Sequence, residues 1–394
     1  MDAANVRTFD HLCRADPAAP ARCSSGREVG VRILRRQRAR EVVALAERAC
    51  QAPEYDSAGR GANRGGAMRG RSRGMVPWLV ALAAVAMAVG AVSPARGAAA
   101  STWVLRAPLP EASANFAAAT GSDGRVYVLD GEVPQSLAYD PATNAWSARA
   151  TMPDPRADTA GATLSDGRIL VIGGYDFSCG GCIVSRVDAY SPSTDTWSTV
   201  AGMHTSRRWE AATTGADGRV YVFGGLNDAG TVLRSGEAYN PRTNAWTLLP
   251  KGPVARYGAA AVTLPGGRIL VIGGAVDSQG QVLTRRVDRY DPVTRTWTRR
   301  ADMPGVRFLL GAALGADGRV YAVGGIGRRG AIKTVVAYSP RTNSWTQAPA
   351  MSGSRSQLGV TVAGGDIYAI GGCGSGFSPT PCPTDRVERL RTSP

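Results

Sequence analysis

Residues 217–246, DGRVYVFGGLNDAGTVLRSGEAYNPRTNAW, contain every element of a unit that recurs along the second part of the chain. An Asp-Gly pair precedes an apolar segment, a glycine doublet follows that segment, and a Tyr stands seven positions before a Trp. Successive Trp residues lie 43 to 51 positions apart. The pairs are Tyr139–Trp146, Tyr190–Trp197, Tyr239–Trp246, Tyr290–Trp297 and Tyr338–Trp345.

Glycine doublets mark the same register in each unit. They are Gly173-Gly174, Gly224-Gly225, Gly273-Gly274, Gly324-Gly325 and Gly371-Gly372, with Asp130-Gly131 in the first unit. Each unit divides into a small apolar inner strand, an Asp-Gly hairpin, a second strand, a third strand ending at the Tyr and an outer strand with the Trp. A period near 50 built from such strands predicts a β-propeller. The doublet with its later Tyr and Trp resembles the kelch repeat, which implies an all-β, kelch-type β-propeller.

The two ends of the repeat array complement each other. The sixth unit stops at residues 386–390, a third strand, without reaching a Trp. Residues 101–106 contain Trp103 and form an outer strand with no blade before it. We therefore expect the N-terminal strand to close the last blade, which removes an open sheet edge. The sequence predicts six blades of four antiparallel strands over residues 101–394.

The first hundred residues differ from the repeat region in composition. Residues 1–74 are rich in Arg, Ala and Gly and are predicted to be disordered, or to be partly an extension before a true start at Met68. A basic run at 69–73, an apolar run at 75–92 and small residues up to 100 are typical of a secretory signal peptide over 75–100. Eighteen apolar residues also suffice for a signal anchor. Both alternatives predict an exported protein, extracellular, periplasmic or in the cell envelope, with membrane contact only through 75–92.

Composition excludes several function classes. The net charge of +15 comes almost entirely from arginine, since Lys251 and Lys333 are the only lysines, and this bias reflects a GC-rich genome rather than a nucleic-acid partner. His11 and His204 are the only histidines. This argues against a Ser-His-Asp triad, a His-rich metal site and the copper radical oxidases that also use kelch blades. Nucleophile-elbow, zinc-protease and phosphate-loop motifs are missing, so we expect no metal and no cofactor.

Cysteines follow two of the glycine doublets. Cys179 and Cys182 lie in the loop after the second doublet, and Cys373 and Cys382 lie in the loop after the sixth. In an exported protein, two local disulfides explain this spacing. A four-thiolate zinc site and free thiols are the alternatives.

An arginine recurs just before the inner strand in units two to six, where the first unit has Ser113. In kelch propellers that bind peptides, this position and the residues after the doublet line the mouth of the central channel. The resemblance implies a ligand site made of Arg156, Arg207, Arg208, Trp209, Arg256, Tyr257, Arg307, Phe308, Arg355, Tyr175, Asp176 and Asn227. The alternative is structural, with each repeated arginine bonding to loop carbonyls of its own blade.

Two functions fit these patterns. Converging guanidinium groups favour a binding module for a protein, an acidic peptide or an anionic sugar, with aromatic rings available for stacking. The chain also resembles the bacterial sialic-acid mutarotases, which are exported six-bladed kelch propellers. That resemblance implies chemistry by one carboxylate and one arginine, and Glu210 with Arg207 offers such a pair.

Overall fold

The computed structural model describes residues 102–129, 131, 135–374 and 382–392. The disordered segment predicted for 1–74 and the signal peptide or anchor predicted for 75–100 lie outside this part of the chain. The described residues form six antiparallel sheets of four strands each, as the repeats predicted, and two short sheets in loops. They include no helix that is long and apolar enough to cross a membrane.

The inner half of each blade pairs a strand of small residues with a strand of larger apolar residues. The inner strands are Ala117–Thr120, Ala160–Thr163, Ala211–Thr214, Ala260–Thr263, Gly311–Leu314 and Gly359–Ala363. The second strands are Val126–Leu129, Ile169–Ile172, Val220–Phe223, Ile269–Ile272, Val320–Val323 and Asp366–Ile370. Asp-Gly hairpins join them in blades one, two, three and five, and Gly-Gly hairpins in blades four and six. Gly218 has the positive φ of +79° that such a turn requires.

The outer half of each blade carries the Tyr and the Trp. The third strands are Ser136–Asp140, Val187–Ser191, Gly236–Asn240, Val287–Asp291, Val335–Ser339 and Val387–Leu390. The outer strands are Ala145–Ala148, Thr196–Val200, Ala245–Leu248, Thr296–Arg300, Ser344–Ala348 and Trp103–Leu105. In blades one to five the Tyr and Trp rings pack against each other at centroid distances of 5.0 to 5.3 Å.

Short strands connect the second and third strands in two blades. Blade two has a three-stranded sheet of Arg156–Ala157, Tyr175–Asp176 and Cys182–Ile183, and blade five pairs Ile326–Gly327 with Gly330–Ala331. The apolar core lies between neighbouring blades. One core cluster, for example, joins Ile272 of blade four to Leu310 and Val320 of blade five.

Closure of the sixth blade by the N-terminal strand is confirmed. Trp103 pairs with Leu390, and Leu105 pairs with Glu388, in an antiparallel register. The strand therefore completes the sheet Trp103–Leu105, Val387–Leu390, Asp366–Ile370 and Gly359–Ala363.

The Trp residues also link each blade to the chain that enters it. The indole Nε1 of each of the six outer-strand Trp residues donates to a backbone carbonyl oxygen of the preceding connection, at 2.7 to 3.3 Å. The pairs are Trp103–Pro349, Trp146–Ala107, Trp197–Ala150, Trp246–Ala201, Trp297–Pro250 and Trp345–Ala301. Trp103 makes the same bond as the other five, so its strand replaces the missing outer strand in full.

The glycine doublets bring adjacent blades into backbone contact. Gly173 has φ of +57°, and a Cβ placed on it would lie 2.5 Å from the carbonyl oxygen of Arg207. The amide of the second glycine of each doublet donates to the backbone carbonyl oxygen of the next blade's repeated Arg, or of Ser113 in blade one, at 2.7 to 3.1 Å. These pairs are Gly131–Arg156, Gly174–Arg207, Gly225–Arg256, Gly274–Arg307, Gly325–Arg355 and Gly372–Ser113. The doublet is therefore a joint between blades, formed six times around the circle.

Candidate functional site

The five repeated arginines lie inside the blades and do not line an open mouth. Arg156, Arg207, Arg256, Arg307 and Arg355 are each at most 4% exposed. Four of them pair with a carboxylate on the third strand of the same blade. The pairs are Arg156–Asp188 at 2.8 Å, Arg207–Glu237 at 2.7 Å, Arg355–Glu388 at 2.5 Å, and Arg256–Asp288. These five guanidinium groups are shielded from solvent and bonded within their own blades, so the structure favours the structural alternative over the predicted ligand role.

The same arginines also bond to carbonyl groups of their own blade. Arg207 Nη1 donates to the carbonyl oxygens of Gly224 at 2.8 Å and Ser235 at 3.2 Å. Arg355 Nη1 donates to Gly371 at 3.1 Å and Arg386 at 2.9 Å. This is the structural role that the sequence left open as an alternative. The guanidinium group ties the end of the second strand to the start of the third.

Blade five departs from this pattern. Val336 occupies the position of the third-strand carboxylate, so Arg307 has no carboxylate partner among the described residues. Its guanidinium donates to the carbonyl oxygens of Gly324 and Thr334, at 2.8 and 2.7 Å, and to Thr334 Oγ1. Burial lowers the pKa of Arg307 to about 10. A positive charge is therefore buried in blade five without a compensating negative charge.

A circle of six backbone hydrogen bonds defines the mouth of the channel. Each blade contributes the residue two positions after its repeated Arg, or after Ser113 in blade one. The amide of that residue donates to the carbonyl oxygen of the equivalent residue in the preceding blade. The pairs, amide first, are Asn115–Gln357, Asp158–Asn115, Trp209–Asp158, Gly258–Trp209, Leu309–Gly258 and Gln357–Leu309, at 2.7 to 3.2 Å. All six residues have φ between +52° and +61°. The circle fixes which side chains stand at the mouth.

Part of the predicted ligand site is assembled at this circle. The Arg208 guanidinium carbon lies 4.0 Å from the Trp209 ring centroid and 5.4 Å from that of Tyr175. Arg208 Nη1 also lies 3.4 Å from Asp158 Oδ2. Tyr175, Arg208 and Trp209 are all partly exposed. The guanidinium group is thus held in one orientation by two aromatic rings and one carboxylate.

Tyr257 and Phe308 support this arrangement from below. Trp209 stacks on Tyr257 at 5.6 Å between centroids, and Tyr257 meets Phe308 edge-on at 5.0 Å. Tyr257 and Phe308 are 3% and 8% exposed and belong to an apolar cluster with Leu226. Both rings are buried, with Trp209 stacked on Tyr257, so the ligand contact predicted for them stays a prediction.

Asp176 and Asn227 hold their own loops. Asp176 Oδ1 accepts hydrogen bonds from the Ser178 amide at 2.7 Å and the Ser178 hydroxyl at 2.6 Å, and the residue is 6% exposed. Asn227 Oδ1 accepts from the Thr231 amide at 2.8 Å. Both side chains shape loops beside the mouth, and the structure gives them this role in place of the predicted ligand contact.

Glu210 and Arg207 do not form the acid–base pair that the sequence suggested. Arg207 donates to Glu237, whereas neither carboxylate oxygen of Glu210 has a hydrogen-bond partner among the described residues. Glu210 is 6% exposed, and Oε1 would lie 2.7 Å from a Cβ placed on Gly173. Burial raises the pKa of Glu210 to about 8, against a smaller opposing effect of the Arg207 charge. The carboxyl group therefore holds a proton at neutral pH.

Both predicted disulfides are present as bonded pairs, Cys179–Cys182 and Cys373–Cys382. The first lies beside the mouth, because the loop that it closes packs on Tyr175. A Cβ on Gly181 would collide with the Tyr175 hydroxyl, and Gly181 has φ of +103°. Among the described residues, no three His, Cys, Asp or Glu side chains are grouped as a metal site.

Sequence reasoning missed several mouth residues. Asn115, Asp158, Leu309 and Gln357 stand in the hydrogen-bonded circle, and all but Asp158 are partly exposed. A signal for them existed, because each lies two positions after the repeated Arg or Ser. These residues vary from unit to unit while the arginine does not, and variation at a fixed register is typical of positions that the fold leaves free.

Comparisons with known proteins agree with this architecture. A kelch motif matches residues 158–204, and the kelch-repeat domain described for KLHDC2, KLHL20 and DRC7 matches residues 210–380. A solved structure titled "Structure of YjhT" is similar, with 19% sequence identity, a TM-score of 0.61, and coverage of 72% of this chain and 96% of that one. At this identity the similarity shows the fold alone. No curated protein matches the chain significantly.

The fold thus defines a β-propeller built from four-stranded antiparallel blades. Its repeats at residues 158–204 and 210–380 are kelch repeats.

Proposed function

We propose that this protein is an exported binding module whose channel mouth takes a carbohydrate-like ligand. The observation that carries the proposal is the Arg208 guanidinium, oriented by Trp209, Tyr175 and Asp158 at the mouth. A sugar presents hydroxyl groups, which both donate and accept hydrogen bonds, and an apolar face of C–H groups. Sites with a few converging polar groups beside aromatic rings suit such ligands.

The side chains around the circle supply both kinds of contact. Asn115, Asp158 and Gln357 carry amide or carboxylate groups on one side, and Trp209 and Leu309 carry apolar surface on the other. Asp158 offsets the charge of Arg208, and the five buried arginines add no accessible positive charge. The mouth therefore suits a neutral or weakly charged sugar better than a strongly anionic ligand.

Replacing Trp209 with Gly tests this proposal without damaging the fold. Trp209 has φ of +52°, a conformation that costs a non-glycine residue about 1–2 kcal/mol, and blade four already has Gly258 at this position. We expect Trp209→Gly to stay folded, because the backbone relief offsets part of the packing lost against Tyr257, and to weaken sugar binding at least about tenfold. Binding of a panel of neutral oligosaccharides would be measured by titration calorimetry.

Arg295→Gly is the matched control. Arg295 has φ of +57° in an exposed turn of blade four, so the substitution gives the same backbone relief away from the mouth. It should leave sugar binding unchanged. The proposal fails if no sugar in the panel binds, or if Trp209→Gly binds as tightly as the wild type.

Export is the second part of the proposal and rests on the basic run, the apolar run and the small residues of 69–100. We expect protein recovered outside the cytoplasm to begin near Ala98 or Ser101, as read by N-terminal sequencing. Recovery of intact 75–92 in a membrane fraction would establish an anchored form instead.

A sugar-isomerising activity is the second candidate function. It is favoured by the Glu210 carboxyl, whose pKa of about 8 suits a general acid at neutral pH. Against it, the group is buried, so a substrate would reach it only after the covering residues move. Polarimetry with anomerically pure sugars separates the two functions, because a binding module does not accelerate mutarotation and an isomerase loses its activity in Glu210→Gln.

A further inference from the structure

A groove at the junction of blades four and five concentrates exposed arginines. Its lining includes Arg285, Arg286, Arg299 and Arg328, together with Asp302 and the apolar side chain of Val306. The side chains of Arg285 and Arg299 are 61% and 58% exposed. Arg328 is exposed as well. We call these six residues the arginine groove.

Carboxylates offset only part of this charge. Asp302 Oδ2 lies 2.9 Å from Arg299 Nη2 and 3.5 Å from Arg285 Nε, so one carboxylate serves two guanidinium groups. Asp288 likewise serves both Arg286 and the buried Arg256. No salt bridge to Arg328 exists among the described residues, and the buried Arg307 behind Val306 has no carboxylate partner there either. Six guanidinium groups against two carboxylates leave a formal charge of +4 at this junction.

The exposed arginines of the hairpins between the first and second strands are different, because each has a carboxylate of its own. The pairs are Arg125–Asp123, Arg168–Asp166, Arg219–Asp217, Arg268–Asp291 and Arg319–Asp317. These arginines recur in the repeat and are neutralised within it. The excess charge of the arginine groove is therefore local.

Two of the exposed arginines, Arg299 and Arg328, are not products of the repeat. Arg299 stands two positions after its Trp, where the other blades have Ala148, Thr199, Leu248, Gln347 and Leu105. Arg328 stands three positions after its doublet, where blades two to four have Phe177, Asp228 and Asp277. A residue that the fold requires recurs at its register, as Arg156 and its equivalents do. Arginines that stand alone at variable positions have no such structural reason.

We infer that the arginine groove binds an acidic peptide segment of a partner protein. Asp302 already shows a carboxylate held by two of the guanidinium groups, and Asp or Glu side chains of a peptide would occupy the others in the same way. Leu283, Pro304 and Val306 give the groove apolar surface for the neighbouring peptide side chains. The described lining contains no aromatic ring on which a sugar would stack, so a peptide fits better than an anionic glycan.

The probe is a fluorescent peptide of alternating Glu and Leu, titrated with the full chain and followed by fluorescence anisotropy. We expect it to bind, to weaken as salt rises, and to bind more tightly than the same peptide with Gln in place of Glu. The double variant R299A/R328A should bind at least about tenfold more weakly, since hydrogen bonds between charged groups are lost. Both side chains are exposed, so the fold should be kept.

R219A/R268A is the matched control, because it removes the same number of exposed arginines from hairpins where each is neutralised. It should leave peptide binding unchanged. Asp302→Asn is the converse variant. It frees Arg285 and Arg299 from their own carboxylate and should tighten binding, whereas Asp291→Asn should not.

Several results would overturn the inference. Equal weakening by the control pair would mean that the peptide responds only to net charge. Equal binding of the Gln peptide would remove the electrostatic basis. Binding of a sulfated oligosaccharide that is lost in R299A/R328A, without binding of the Glu peptide, would assign the groove to a glycan. Sugar binding at the mouth is measured separately and should not change in these variants.

Discussion

Glu210 stands at a position where blades one, five and six place large apolar side chains, Phe116, Leu310 and Leu358, packed in clusters between blades. Blades two and four have Thr159 and Ala259 there. A carboxyl group in such a slot is costly when ionised, because burial removes its hydration and no hydrogen bond replaces it. The molecule avoids most of this cost by keeping the group protonated.

Stability should therefore fall as pH rises through the neutral range. The pKa of Glu210 is about 8 in the folded chain and near 4.5 in the unfolded chain. Between these values the folded chain holds a proton that the unfolded chain has released, so the free energy of unfolding decreases with rising pH, by at most about 1.4 kcal/mol per pH unit. Above about pH 8 this contribution levels off. Denaturant unfolding from about pH 5 to about pH 8 measures the slope.

Glu210→Leu, the residue of blades five and six, is the control for this prediction. It should unfold with a higher free energy at about pH 8, where the ionised wild-type carboxylate is least tolerated. Other titrating groups are common to both proteins, so the difference between their slopes isolates Glu210. If both proteins show the same pH dependence, another group causes it.

The buried arginines should differ in what their removal costs. Arg355→Met leaves Glu388 buried without its guanidinium partner, and breaking such a pair typically costs about 3–5 kcal/mol. Arg307→Met leaves only neutral carbonyl and hydroxyl groups of Gly324 and Thr334 without a donor. Leaving such groups unsatisfied costs about 1–3 kcal/mol of stability. Chemical denaturation of the two variants should rank Arg355→Met as the less stable.

Adding Glu388→Gln to Arg355→Met should restore part of the lost stability, because the stranded charge is removed. No recovery in the double variant, or equal losses in the two single variants, would mean that the carboxylate does not decide the cost.

The blades themselves could be predicted almost completely from the sequence. The inner strand, the Asp-Gly hairpin and the Tyr–Trp hairpin depend on neighbouring residues, and each leaves a local pattern that recurs. The partners of the arginines could not be predicted in this way. Asp188 lies 32 positions after Arg156, and only the pairing of strands brings the two together. Carboxylates close to an arginine in sequence, such as Glu210 near Arg207, were the wrong partners.

The candidate site was predictable in position but not in accessibility. The repeat register predicted Arg208 and Trp209 at the mouth, and in the structure their side chains contact each other beside the hydrogen-bonded circle. The repeat register did not show which of two neighbouring arginines faces the mouth. Successive residues of an extended segment face opposite ways, so Arg207 points into its blade when Arg208 faces the mouth. Nor could the register show the hydrogen-bonded circle, which requires six residues from six blades to adopt positive φ together.

Closure of the ring makes distant parts of the chain depend on one another. Three sets of six hydrogen bonds link the blades, through the Trp indoles, the glycine doublets and the mouth circle. In each set, one bond joins the N-terminal part of the propeller to its C-terminal part. These bonds run from Trp103 to Pro349, from Gly372 to Ser113 and from Asn115 to Gln357. Loss of the N-terminal strand should thus affect the whole molecule.

Trp103 is the residue on which this dependence is most directly tested. Its indole Nε1 donates to the Pro349 carbonyl oxygen at 2.8 Å, and its strand covers the edge of Val387–Leu390. Trp103→Ala should lower the free energy of unfolding by up to about 3 kcal/mol, the low end for a core aromatic, because this side chain is only partly buried. Deleting residues 101–106 should cost more and promote aggregation, because an unpaired strand edge is exposed. Deleting residues 1–97, which leaves this strand in place, should keep the melting temperature of the propeller unchanged. Thermal melting of the three proteins, with light scattering to detect aggregates, gives the comparison. A 101–106 deletion that melts like the wild type would mean that the sixth blade is stable with three strands and that the N-terminal strand does not hold the ring closed.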